Sequence, residues 1–161
     1  MLLTQGVILA MPGILGIYFH SLICSSNYHE GVKLSGLNRS INREKLNYDH
    51  LVEVLCEEGT VQRALFLAYR RLISIRIHKK AFNPFGKFEF LNISKKIFAI
   101  LQKSLDESEN ILALHNFSYD IICFMLPEVF IKDLQDLLSD ASVKPSETIT
   151  MQPYQIMWLK F

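Results

Sequence analysis

The sequence predicts an α/β end-piece over its first half and an all-β antiparallel domain over its second. Three observations carry this. Ile14 to Phe19 is an apolar run without polar alternation, as in a parallel strand buried on both faces. Val61, Ala64, Leu65, Ala68, Leu72 and Ile75 recur at helical spacing. After Asn83-Pro84, short runs rich in β-branched and aromatic residues alternate with turn clusters. The division falls between residues 1–81 and residues 82–161.

Size and charge bound the reading before any element is placed. A chain of 161 residues is about one domain's worth. Half of the residues are apolar and 11% are aromatic, enough to bury a core. A net charge of +1 gives no reason to expect nucleic acid or an anionic membrane as partner. Cys24, Cys56 and Cys123 lack metal-ligand spacing and read as reduced thiols of a cytoplasmic protein.

The elements follow in order. No Lys, Arg, Asp or Glu occurs before Glu30. A signal peptide would need a basic n-region, and a spanning helix about 20 uninterrupted apolar residues. Gln5, Pro12-Gly13 and Gly16 interrupt this run, so it reads as a helix, Leu2 to Met11, then the strand Ile14 to Phe19. Ser25 to Asp49 is polar and reads as a long loop. Asn47 or Asp49 can cap a short helix reaching Glu58, and Thr60 a longer one from Val61 to His78. The basic residues of that helix, Arg63, Arg70, Arg71 and Arg76 among them, read as a solvated face with favourable charge at the C-terminus. Strands are expected at Lys87 to Leu91, Lys96 to Gln102, Asn110 to Phe117, Asp120 to Leu126, Glu147 to Met151 and Tyr154 to Leu159. Turn clusters at Asn92 to Lys95, Asp106 to Asn110 and Ser139 to Pro145 separate several of them. A strand buried on both faces needs a neighbour on each side, which the first 80 residues do not supply; the first half therefore reads as a slice of a larger layered or barrel fold.

Two stretches carry a family resemblance. Gly6 to Leu22, with Met11-Pro12-Gly13-Ile14-Leu15-Gly16-Ile17-Tyr18-Phe19-His20, resembles the seventh helix and eighth strand of the barrel in glycoside hydrolase family 13. Asn38-Arg39-Ser40-Ile41-Asn42-Arg43-Glu44-Lys45-Leu46 resembles the loop motif of its sucrose phosphorylase-like subgroup. Ala113-Leu114-His115-Asn116 and Gln152-Pro153-Tyr154-Gln155-Ile156-Met157-Trp158-Leu159 are similar to the C-terminal β-domain of the family. The resemblance implies the end of a TIM-type (β/α)8 barrel followed by that β-domain. It also implies retaining glucosyl transfer from sucrose or a related glucoside to phosphate, by a nucleophilic carboxylate and an acid/base carboxylic acid. In the family those groups sit on earlier strands, so the chain is expected to be inactive alone. Sugar and phosphate are the partners implied for the full-length parent; a separate N-terminal barrel fragment, where one exists, is a further expected partner; no cofactor or metal is implied.

The same resemblance points to candidate substrate- and phosphate-binding residues. Arg39 matches an arginine that contacts phosphate or the fructosyl unit, a role suited to a permanently charged guanidinium fork. Asn38, Asn42 and Arg43 shape the loop and lie within reach of the same ligand. His20 closes the expected strand, at the end where barrels recruit active-site residues. Two departures stand out: Leu15 where the family has Pro, and Asn27-Tyr28-His29-Glu30 where it has Asn-Asp-Tyr-Glu. His115-Asn116 and Trp158 read as structural. Two other readings remain: a self-standing β module that binds carbohydrate, and a small protein attached to a membrane through Met1 to Leu22.

Overall fold

The computed structural model describes residues 1–127, 130 and 132–161. The chain forms two compact units, Met1–Leu15 with Arg71–Phe161, and Gly16–Arg70.

The first unit is built on antiparallel sheet. Its strands are β1 (Lys87–Ser94), β2 (Ile97–Lys103), β3 (Asn110–Asn116), β4 (Ile122–Phe124), β5 (Leu134–Asp136), β6 (Ser142–Val143), β7 (Ile149–Met151) and β8 (Ile156–Lys160). Among the described residues six strands form one sheet in the order β1-β2-β3-β8-β5-β6, and β4 pairs with β7 in a second. All pairings are antiparallel. One face of the large sheet presents Ala99, Leu112, Leu114, Met157 and Leu159 to a core shared with Ile149 and Met151 of β7. The opposite face carries Ile100, Ala113, His115 and Trp158, all fully buried. Burial on both faces explains why β2 and β3 read as continuous apolar runs rather than alternating ones.

Helix α1 (Leu2–Ala10) lies on that second face. Gly6 lets the helix come close: a Cβ there would fall 2.5 Å from Cδ1 of Ile156, and that side chain would have to move. Gln102 Nε2 donates to the Ala10 carbonyl at 2.7 Å. Arg76 donates to the carbonyls of Leu9 and Gly13 while its guanidinium lies over the Phe82 ring. The bonds to Leu9 and Ala10 satisfy carbonyls that the end of a helix leaves unpaired, and the bond to Gly13 holds the chain just beyond it. Phe82 in turn packs on Trp158, ring centroids 4.8 Å apart, so Trp158 is held in the core as the sequence suggested.

The second unit is helical: α2 (Phe19–Leu22), α3 (His29–Ser35), a 3-10 turn Asn38–Asn42, α4 (Tyr48–Cys56) and most of α5 (Val61–His78). Both expected caps are present. Asn47 Oδ1 accepts the His50 N–H at 3.0 Å, and Thr60 Oγ1 accepts the Arg63 N–H at 3.2 Å.

Two expectations are corrected. Ile14 to Phe19 is not a strand: residues 14–18 take no regular structure, Phe19 starts α2, and Ile14 is 86% exposed. A parallel strand needs partners for its N–H and C=O groups on both sides, and no described strand pairs with it. The stretch Ser25 to Asp49 is not a plain loop, since it contains α3 and the 3-10 turn. Among the described residues no helix is long and apolar enough to cross a membrane.

Candidate functional site

The five residues singled out by sequence all fall in the Gly16–Arg70 unit, on two neighbouring stretches. His20 lies in α2, and its Nδ1 stands 2.8 Å from Ser25 Oγ, a contact that leaves Nε2 uncommitted. Asn38, Arg39 and Asn42 belong to the 3-10 turn, and Arg43 is the residue that ends it. Tyr18 joins the two stretches: its hydroxyl donates to the Asn42 carbonyl, and its ring centroid is 5.5 Å from that of His20.

Local chemistry fixes the shape of the Arg39 turn. Gly36 ends α3 in the left-handed region at φ 65°, its N–H donating to the Val32 carbonyl at 2.9 Å. Ser35 Oγ donates to the Gly31 carbonyl at 2.6 Å, lies 2.7 Å from Ser40 Oγ, and accepts the Leu37 N–H at 3.2 Å. At the other end the Tyr28 N–H donates to the Ile41 carbonyl at 2.6 Å. The Tyr28 ring covers Gly31 so closely that a Cβ there would lie 2.2 Å from it. The turn is therefore tied to α3 from both sides, with Arg39 projecting from it.

Charge supplies the second property. From Glu30 to Lys45 the chain carries four cations, Lys33, Arg39, Arg43 and Lys45, against Glu30 and Glu44. Arg39 and Arg43 are exposed, and neither side chain has an ion-pair or hydrogen-bond partner among the described residues. A guanidinium held on a fixed turn and left unpaired can accept an anion bidentately. A cleft of about 190 Å³ opens nearby, lined by Ser25, Glu44 and Gln62 among others, but Asn38 to Arg43 do not line it. Among the described residues no group of three His, Cys, Asp or Glu is placed to hold a metal.

Sequence reasoning missed Tyr18, Tyr28, Gly31, Ser35 and Ser40, the residues that shape this site. Only Ser35-Gly36 carried a signal, the glycine that ends a helix. The Tyr28–Gly31 stacking has no signature in sequence.

Comparison with known proteins places this geometry in context. No family model matches the chain. It is 32% identical over 98% of its length to the glucosylglycerate phosphorylase of Spirochaeta thermophila, and covers 29% of that protein. It is 31% identical over 99% of its length to the glucosylglycerate phosphorylase of Escherichia coli, and covers 28% of it. The chain thus spans less than a third of the length of these relatives. Among solved structures, AmyP in complex with maltotriose matches with a TM-score of 0.79 at 15% identity, over 99% of this chain and 34% of that one. Trehalulose synthase MutB matches with a TM-score of 0.72 at 16% identity, over 99% of this chain and 38% of that one. At such identities the structural matches speak for the fold.

Proposed function

The chain is homologous to the C-terminal part of enzymes in the sucrose phosphorylase-like subgroup of glycoside hydrolase family 13, and from that premise we propose that it serves as the C-terminal region of a retaining glucoside phosphorylase. In that enzyme a glucosyl group passes from glucosylglycerate, sucrose or a related glucoside to phosphate, giving glucose-1-phosphate. Residues 1–81 complete the barrel and residues 82–161 form the β-domain. The barrel's catalytic carboxylates lie outside these 161 residues, on polypeptide that this chain must meet in order to act, and the assembled enzyme works in the cytoplasm.

The role of this chain in the chemistry is binding. Arg39 contacts phosphate or the anionic part of the leaving group, with Arg43 beside it and Asn38 and Asn42 shaping the turn. His20, anchored by Ser25, faces the same ligand. One observation carries the reading: an unpaired arginine on a turn that Ser35, Ser40 and Tyr28 hold in place. The backbone of such a turn loses little further freedom when an anion arrives, so the base of the Arg39 side chain is pre-organised while its rotamers are fixed only on binding.

The test is an assay of glucose-1-phosphate release by the purified chain, supplied with phosphate and either glucosylglycerate or sucrose. No release above buffer is expected. Sustained turnover by the 161-residue chain would overturn the assignment of the carboxylates to other polypeptide.

A further inference from the structure

Strand β1 is one edge of the six-stranded sheet. Its inner side pairs with β2, and its outer backbone groups have no hydrogen-bond partner among the described residues. Such an edge is a ready template for another strand. Its side chains are also unusual for an edge left to solvent. Phe88 and Phe90 are 47% and 54% exposed and sit side by side, ring centroids 5.7 Å apart. Lys87 and Glu89 alternate with them on the opposite face.

We propose that β1 pairs antiparallel with β1 of a second copy of this chain, about a two-fold axis at Phe88, so that one sheet runs through a homodimer. The register follows from the sequence. Paired residues share a face of a sheet, so Phe88 meets an even-numbered residue of the second copy, 86, 88, 90 or 92. Meeting residue 92 would set Lys87 and Glu89 against the apolar Ile93 and Leu91, with no charge pair, and would run the ladder into the irregularity between Leu91 and Ser94. Meeting residue 86 would set Lys87 against Lys87, and meeting residue 90 would set Glu89 against Glu89. Like charges directly opposite are destabilising. When Phe88 meets Phe88, each Lys87 faces Glu89 of the second copy, and the interface gains two opposite-charge pairs. Phe90 then lies across from Gly86 of the second copy, whose missing side chain leaves room for the ring.

Two features limit the ladder. The pairing irregularity between Leu91 and Ser94 bends the strand beyond the contact. Lys87 must also exchange its exposed ion pair with Glu107, 2.6 Å in the monomer, for the one across the dimer. Exposed pairs of this kind contribute little, so the exchange is close to neutral. A short ladder with one aromatic pair at its centre implies a weak dimer that forms at high protein concentration.

Sedimentation equilibrium of the full chain across a concentration series tests this, with Lys87→Glu, Glu89→Lys and the double exchange as variants. Each single change is expected to raise the dimer dissociation constant by about tenfold. The double exchange should restore it, although it too has lost the Lys87–Glu107 pair. A second readout fixes the register. In a background with Cys24, Cys56 and Cys123 changed to serine, Phe88→Cys should oxidise to a disulfide-linked dimer, because directly paired Cα atoms lie within disulfide range. Phe90→Cys should not. A monomer at every concentration, single changes without effect, no rescue by the double exchange, or crosslinking through Phe90→Cys would each overturn the proposal.

Discussion

His115 concentrates the physical tension of the first unit in one side chain. It is fully buried between β3 and α1, beside Phe98, and an added Cβ on Gly6 would lie 3.5 Å from its ring. Neither ring nitrogen makes a hydrogen bond of good geometry among the described residues, although the backbone of Phe98 and Gly6 lies close by. Burial disfavours the charged form and pushes the pKa down to about 4. The sign follows from linkage. Near pH 7 the imidazole is mostly neutral in both folded and unfolded chains and contributes little pH dependence. As the pH falls below about 6.5 the unfolded chain takes up a proton that the folded chain refuses, so stability falls until the folded pKa is reached. Between pH 7 and pH 5 this one group should cost about 2 kcal/mol. Urea unfolding at both pH values measures it, and His115→Leu should flatten the profile by that amount relative to the unaltered chain. The role of His115 was legible in sequence only as a structural residue; its missing partners depend on how α1 is laid over it.

At the scale of elements, what the sequence predicted well was what local chemistry fixes. Thr60 and the apolar spacing after it define α5 at both ends, because a cap and a periodic face are local properties. The Thr60 hydroxyl caps α5 and also donates toward the Val54 and Glu57 carbonyls. Thr60→Ala should therefore cost about 1 kcal/mol or more in chemical unfolding, while Thr60→Ser, which keeps the hydroxyl, should cost little. Strands β2, β3 and β8 were visible because burial on both faces leaves long apolar runs. β5 and β6 were not, since three and two residues show no period, and β6 lies inside a cluster of turn formers. Helix α3 escaped notice because Gly31 and Ser35 weaken its pattern, and it is held by Ser35, Ser40 and Tyr28 rather than by an apolar face. Ile14 to Phe19 shows the limit from the other side. Its apolar character is real, but a parallel strand is defined by its neighbours, and among the described residues no strand pairs with it.

The molecule as a whole combines a well-cored β unit with a helical unit whose distinguishing feature is a tied, cationic turn. The motif at Asn38 to Leu46 drew attention to this stretch only as part of a loop, and spacing alone would not have separated Arg39 from the other exposed arginines. Its restraint by Ser35 and Tyr28 became visible only in three dimensions, because those contacts depend on where α3 ends. The relatives at 31% and 32% identity cover nearly all of this chain with less than a third of their own length, so its work is best measured in the setting they provide. The most direct measurement replaces the matching C-terminal part of the Escherichia coli glucosylglycerate phosphorylase with these 161 residues, and follows glucose-1-phosphate formation with and without Arg39→Ala. The account predicts that the folded hybrid turns over, and that Arg39→Ala raises its KM for phosphate or for glucosylglycerate by about tenfold or more, the loss of one charge-assisted anion contact. A hybrid that unfolds at the same temperature as its parent and turns over unchanged with Arg39→Ala would contradict it.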